Sequence, residues 1–348
     1  MPTSSGMVAE RLAAQLLSGP PARSAVDVVE RLLAVQGQDP RGARLAIRAR
    51  TTGLRAADVD RALTVDRSLV ITWFNRGTLH LVRTEDYWWL HALTTPPLFT
   101  GSARRLAQEG VSPAAAERGV EVIERSLTDD GPLTRGQLRE RIAAADVRVQ
   151  GQALVHILAQ ASLRGIAVRG PMLGGDHAYV LVRDWLGAPP PPVDRETALS
   201  QLARRYLAGH GPATDRDLAR WAGLPLRDAR RGLGAIGSEL AERADGLLGL
   251  AGHDRDEPLP PPLLLGAFDP LLLGWTSREP ILGAHEAALV TMNGIFRPFA
   301  LVRGRAVATW GMPAKKVVLT AFGQLPPADA SALDAEAADV ERFLAPAV

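Results

Sequence analysis

Apolar residues near the N-terminus recur at helical spacing. Val28, Leu32 and Val35 share a face with Val29 and Leu33 beside them, and Ser24 with Asp27 resembles a capping box, so a helix is predicted there. It runs into "VQGQDPRG", where Asp39-Pro40 reads as the N-cap and first residue of a following helix. "LRAADVDRAL" gives another helix, and "LVITWFNRGTLHLV" reads as a buried helix end or a strand, followed by a β-run carrying Thr78, His80 and Val82. Further on, "GPLTRGQLRER" from Gly131 and "GPATDRDLARW" from Gly211 repeat Gly, Pro, Thr and Leu in register. In each copy the threonine stands where an N-cap belongs and the leucine opens an apolar helical face. Each copy continues into a second helix, "QALVHILAQASLRG" or "RDARRGLGAIGSELAER". Each ends in short β-like runs, "IAVRGPMLGGDHAYVLV" turning at Gly174-Gly175, and "RADGLLGL".

Helix, capped helix, helix, hairpin is the order of a winged helix, and the N-terminal segment can be read the same way. The last segment differs. "LLLGAFDPLLLGW", "NGIFRPFALVRGRAVATWGM" and "KKVVLTAFG" are β-rich with glycine turns and predict a small closed or half-open sheet. "ADASALDAEAADVERFLA" reads as one acidic amphipathic helix. The proline runs "GAPPPPVD" and "EPLPPPLLL" cannot continue a helix or a central strand and mark linkers. The expected fold is therefore α+β, mainly α. Three tandem winged-helix units occupy residues 1–100, 101–190 and 193–256, and a barrel-like β-domain ending in a helix occupies 263–348.

Composition narrows the chemistry. At 348 residues and 46% apolar the chain is globular and long enough for several domains. It has no cysteine, which removes disulfides, thiolate nucleophiles and cysteine-based metal sites together. His285-Glu286 lacks the second histidine of HExxH and the other histidines are scattered, so no metal and no cofactor are expected. No basic-then-apolar signal and no apolar run of membrane length are present, so a cytoplasmic protein acting at the nucleoid, with no membrane partner, is expected. The only lysines among 40 basic residues are Lys315 and Lys316. Residues 1–100 carry 12 basic against 9 acidic residues, and the net charge is +2, which leaves room for one basic groove on a balanced body.

"LLAVQGQDPR", "WFNRGTLHLV", "LLGAFDPLLLGW" and "RPFALVRGRAVATW", in that order, resemble the winged-helix alkylpurine DNA glycosylases of the AlkZ and YcaQ type, from about Glu10 to Phe343. The resemblance implies three winged helices and a C-terminal β-domain, C-shaped around duplex DNA, in a monomer. It also implies excision of bulky alkylated purines, unhooking of interstrand crosslinks and, in some members, self-resistance to a DNA-alkylating antibiotic. The family's active-site signature is Gln, a middle residue that is usually aliphatic, then Gln or Asp. Here it falls on Gln36, Gly37 and Gln38, with glycine in place of the aliphatic residue.

The residue chemistry fits. Hydrolysis of a base from deoxyribose passes through an oxocarbenium-like state at C1′. Glutamine cannot take a proton at neutral pH; it donates two hydrogen bonds and accepts through its carbonyl. A glutamine pair therefore suits a substrate with an activated leaving group, such as a cationic N7- or N3-alkylpurine. Residues 36 and 38 are two apart, so in an extended segment both amides point the same way. The competing reading of the pair is helix capping and turn, and Asp39 and Asp269 read as a cap and an Asp-Pro turn.

Arg41, Arg44 and Arg48 fall at helical spacing after the pair, as a basic stripe or a solvated face. Asn75, Arg76 and His80 are further DNA-contact candidates, as are Phe296 and Arg297 by an apolar turn and Arg303 and Arg305 across a hairpin. "ALVHILAQASL" carries few side chains able to read base edges, whereas Arg227, Arg230 and Arg231 could grip phosphates. The alternative is a winged-helix DNA-binding protein without chemistry, acting as a regulator or sequestering a damaging ligand. With no lysine near the signature, an abasic product rather than strand cleavage is expected.

Overall fold

The computed structural model describes residues 4–252 and 258–346; the expected end of the third unit at residue 256 lies outside them. The chain forms two compact units, Met1–Val59 with Glu196–Val348, and Asp60–Arg195. Among the described residues no helix is long and apolar enough to cross a membrane.

In the Asp60–Arg195 unit, "LVITWF" is a strand, Leu69–Phe74, buried at every position. Its β-branched and aromatic residues fit a pleated, buried surface. It pairs antiparallel with Thr78–Arg83, setting Phe74 opposite Thr78 and Thr72 opposite His80. The bridge Ile71↔Arg169 joins this hairpin to a second one, Ala167–Leu173 with Asp176–Leu181. The second hairpin turns where expected, at Gly174 and Gly175, with φ of 59° and 91°. Leu133–Thr134 adds a short strand against Asp176–Leu181. Thr134 then caps the helix Arg135–Ala144 in a capping box with Gln137. The next helix, Ala153–Leu163, is buried along nearly its whole length. The helix Leu98–Gln108 packs on it, and Gln160 Nε2 donates to Ser102 Oγ at 3.0 Å.

In the other unit, Ser24 Oγ accepts the Asp27 N–H and starts the helix Ala25–Leu32, which buries Val28, Val29 and Leu32. The helix ends on Leu33 at φ 63°, ψ −43°, with Ala34 N–H donating to Leu32 C=O at 2.7 Å. This is a three-residue γ-turn with positive φ, a rare and strained form. The strand Val35–Gln36 and the helix Pro40–Arg48 follow. After residue 195 come the helices Asp215–Ala222 and Leu226–Ala235 and the hairpin of Leu240–Glu242 with Leu248–Leu250. Thr214 caps the first of these helices, in a capping box with Asp217, and Leu218 is 1% exposed.

The C-terminal strands form one antiparallel sheet in the order Val318–Ala321, Arg305–Gly311, Phe299–Val302, Leu263–Leu265. It is open, which corrects the expectation of a barrel-like domain. Four short strands cannot close on themselves, and side chains stand where a closing strand would bond. At the Leu263–Leu265 edge, Leu264 N–H donates to Glu336 Oε2 at 3.0 Å and Leu264 C=O accepts from Arg48 Nη2 at 3.1 Å. Glu336 and Arg48 are themselves paired. Glu336 belongs to the acidic amphipathic helix, Pro327–Leu344, whose apolar face buries Leu333, Val340 and Phe343.

Candidate active site

The signature begins in the strand Val35–Gln36, two residues beyond the strained turn at Leu33. Gln36 is buried at 7% exposure and Gln38 is exposed. The two amides therefore occupy different depths: one is held in the protein and the other reaches solvent. Gly37 is absent from the glycines with positive φ, so no left-handed conformation requires a glycine there. Asp39 Oδ1 accepts the Gly42 N–H and caps the helix Pro40–Arg48, with Pro40 in its first turn.

The three arginines that follow divide. Arg41 is exposed. Arg44 is buried at 9% and donates Nη1 to Pro40 C=O at 2.8 Å. Arg48 is buried at 4% and joins Glu336, Asp339 at 2.9 Å and Leu264 C=O. The spacing is helical, but Arg48 binds the C-terminal helix and the sheet edge and lies on no solvated stripe.

Asp269 proves to be both a turn residue and half of a buried ion pair. It is fully buried, its Oδ1 accepts Leu271 N–H at 2.9 Å, and it caps the short helix Pro270–Leu272. Both carboxylate oxygens accept from Arg50, at 2.9 and 3.0 Å. Arg50 sends its other N–H groups to Gln15 C=O, Gln15 Oε1 and Ala46 C=O, at 2.8 to 2.9 Å, and so fills all five donor positions. No sequence signal marks Arg50, because in an arginine-rich chain nothing distinguishes one buried guanidinium from its exposed neighbours.

The segment before Asp269 lies along the same helix. Leu264 meets Arg48, and a Cβ on Gly266 would stand 2.9 Å from Leu45 Cβ. A Cβ on Gly42 would stand 2.2 Å from Ala267 O, and Asp269 reaches back to Arg50. The chain thus climbs to the helix N-terminus, turns at Phe268 and descends. Phe268 turns at φ 56°, half-buried, and its ring lies 5.6 Å from that of Phe296 at 49°.

The β-domain candidates are dispersed. Phe296 is buried at 7%, with the Arg278 guanidinium 4.9 Å from its ring centre. The exposed apolar tip is Met292 and Ile295. Arg297 is exposed, its Nη1 reaching Ala288 C=O at 3.3 Å. Arg303 pairs with Asp329 at 3.1 Å. Arg305 is exposed across a turn whose Gly304 is pressed toward Val8 and Leu12.

Asn75, Arg76 and His80 belong to the other unit. Asn75 and Arg76 stand in the hairpin turn, Arg76 at φ 53° and Gly77 at φ 75°. Asn75 is 1% exposed, and neither its amide nitrogen nor its amide oxygen has a hydrogen-bond partner among the described residues. The hydroxyl of Thr72, opposite His80, is in the same condition. Buried polar groups are almost always paired, so these atoms are exceptions within the unit. His80 Nδ1 lies 2.9 Å from Thr78 C=O. Burial, and then the charge of Arg76, push the His80 pKa down to about 3, so its ring is neutral at physiological pH. Among the described residues no group of histidine and acidic side chains could hold a metal ion.

With a paired-glutamine turn set beside a capped helix, and the β-domain loop laid along that helix, the chain matches the family described as DNA glycosylase AlkZ-like over residues 29–343. It belongs to that family, whose members are hydrolases acting on N-glycosyl bonds. It is similar to the interstrand DNA cross-link repair glycosylase of Streptomyces sahachiroi, 29% identical over 95% of this chain and 94% of that one. The solved structure of the Streptomyces sahachiroi DNA glycosylase AlkZ superposes with a TM-score of 0.76 at 28% identity, covering 97% of this chain and 96% of the other.

Proposed function

We propose that this enzyme releases N7- or N3-alkylated purines, including bulky and crosslinked ones, from duplex DNA by direct hydrolysis, with Gln36 and Gln38 positioning the water. The observation that carries this reading is the commitment of both neighbouring carboxylates. Asp39 is held by the Gly42 N–H and Asp269 by Arg50, which leaves the amides as the polar groups of the signature. Amides can hold water and stabilise developing positive charge at C1′ without accepting a proton. That suffices for a cationic alkylpurine. Water bonds to C1′, the C1′–N bond breaks with its electron pair moving to the purine, and the base leaves neutral while solvent takes the proton. The product is an abasic site. Among the lysines, Lys316 is paired with Glu341, far along the chain from the signature.

The order helix, capped helix, helix, hairpin supports reading 101–190 and 193–256 as winged helices, with 1–100 as a third. Arginines on such units supply sequence-independent contact to phosphates. The regulator alternative loses ground in two places. Ala153–Leu163, where a recognition helix would lie, is buried beneath Leu98–Gln108 and presents almost nothing to a groove. In Leu226–Ala235, Arg230 is paired with Asp215, and Arg231 with Glu196 and Asp228.

The test is release of free base, and formation of heat-labile abasic sites, from duplex carrying one N7-alkylguanine. Wild type should release base, and Gln36→Ala/Gln38→Ala should be slower by about 100-fold or more, the scale of a lost positioning element. Equal rates would remove the glutamines from the mechanism.

A further inference from the structure

We propose that Phe268 is a substrate-contacting residue of this glycosylase, an aromatic face that stacks on the alkylated purine and favours it over the unmodified base through its positive charge. This rests on the reading of the glutamine turn as the active site, because Phe268 stands at the signature end of the helix Pro40–Arg48. The helix fixes that position. Leu264 lies at Arg48, Gly266 at Leu45 and Ala267 at Gly42, and residue 42 is the one bonded to the cap Asp39, next to Gln38. Phe268 is the apex of this climb and Asp269 begins the descent, anchored at Arg50.

Three features set the residue apart from ordinary packing. It is half-buried, as are Ala267 and Leu273, and it is the one large aromatic side chain of "LLLGAFDPLLL", whose Leu264, Leu265, Leu271 and Leu272 lie in the core at 1% exposure or less, with Leu263 at 8%. Its backbone is left-handed, a conformation a bulky side chain adopts at a cost and that recurs at ligand sites. The surroundings hold it there: Ala267 O is pressed against Gly42 on one side and Asp269 is saturated by Arg50 on the other. Its aromatic neighbour, Phe296, already has a cation, the Arg278 guanidinium at 4.9 Å. Phe268 has no such neighbour among the described residues.

The chemistry of the substrate supplies the reason for a ring. An N7- or N3-alkylated purine in DNA carries a delocalised positive charge that the unmodified base lacks. A cation over an aromatic face is attracted by the ring quadrupole, more strongly when water is excluded. An enzyme lacking a proton donor for the base can use such a face to choose among bases by charge. The attraction vanishes as the base departs neutral, so it does not hold the product.

The experiment measures binding and chemistry separately on the full-length protein. Duplexes carrying 2′-fluoro-N7-methylguanosine, cationic and resistant to hydrolysis, are compared with duplexes carrying 2′-fluoroguanosine, using fluorescence anisotropy. Wild type should prefer the methylated duplex by about tenfold, the factor given by about 1.4 kcal/mol. Phe268→Leu should lose that preference while binding the unmethylated duplex as before, and Phe268→Tyr should keep it. Gln36→Ala/Gln38→Ala should retain the preference and lose release of N7-methylguanine from an ordinary duplex. The proposal is overturned if wild type shows no preference, if Phe268→Leu keeps it, or if Phe268→Leu weakens both duplexes equally, as a groove wedge would. Undiminished release by the double glutamine variant would instead overturn the proposed active site, with the preference still deciding the role of Phe268.

Discussion

Asp269→Asn is the sharpest perturbation of the scaffold beneath the candidate site. The substitution preserves shape, and its amide oxygen can still accept from Leu271 N–H and one Arg50 N–H. Its NH2 group, however, must face the other Arg50 donor, and the guanidinium is left charged in a place where it is 1% exposed. Removing one partner of a buried ion pair costs about 3–5 kcal/mol, because the remaining charge stays desolvated. Against a total domain stability of about 5–15 kcal/mol this is a large fraction. Hydrogen exchange of peptides spanning residues 43–50 and 263–272, followed by mass spectrometry, reads the loss where it occurs, and urea unfolding gives its size. The double variant Arg50→Met/Asp269→Leu should recover part of the stability, since no orphan charge remains. Recovery should be incomplete, because Gln15 and Ala46 lose their donors. A loss below about 1 kcal/mol for Asp269→Asn would refute the reasoning that this pair is desolvated and mutually dependent.

Gly42→Ala inverts the usual rule for helical glycines. Alanine ordinarily gains about 1 kcal/mol, but here its Cβ would meet Ala267 O, so a destabilisation of about 1–3 kcal/mol is expected by thermal melting. Gly136→Ala, exposed and with no heavy atom closer than 3.8 Å to the new Cβ, should stabilise, and similar shifts for both would contradict the close approach at residue 42. His80 gives a pH signature. With a native pKa of about 3 against about 6.5 unfolded, the native state stays neutral while the unfolded chain takes up a proton. Stability is therefore full above pH 6.5 and falls by about 1.4 kcal/mol per unit from there toward pH 3. His91, also lowered by burial, adds to the same trend. Between pH 7.5 and 5, His80→Gln should lose about 2 kcal/mol less than wild type in urea unfolding, and parallel losses would show that His80 is not buried neutral.

Local signals were legible where one residue decides one feature. Thr134 and Thr214 cap their helices, Asp39 caps its own, and Gly174-Gly175 turn a hairpin, because caps and turns are set by chemistry within four residues. The helix Thr84–Thr94 gave no such signal. It buries the polar Asp86 and Thr94 beside Tyr87, Trp89, Leu90 and Leu93, and leaves Trp88 half-buried and Ala92 exposed, so polar and apolar residues mix on both faces and show no period. The barrel expectation failed because strand content can be read locally, whereas closure depends on distant side chains, here Arg48 and Glu336 at the sheet edge. The same holds at the site. Gln36, Gln38 and Asp39 are adjacent in sequence and stand out. Arg50, Gly266 and Phe268 matter through partners more than two hundred positions away or through backbone geometry, and neither can be read from a one-dimensional pattern.

The bracket of Arg48 with Glu336 and Asp339 also fixes when the enzyme can first exist. Arg48 and Asp339 are 291 positions apart, and at roughly 5–20 residues per second the ribosome needs about 15–60 s to make the second after the first. During that time the glutamine segment is synthesised but lacks the helix that secures its neighbours, while the Asp60–Arg195 unit is complete and can already fold. A chain interrupted before Pro327 would then carry the whole glutamine segment without the helix that secures its neighbours. An enzyme that removes bases from DNA would thus become active only after the helix Pro327–Leu344 has been made.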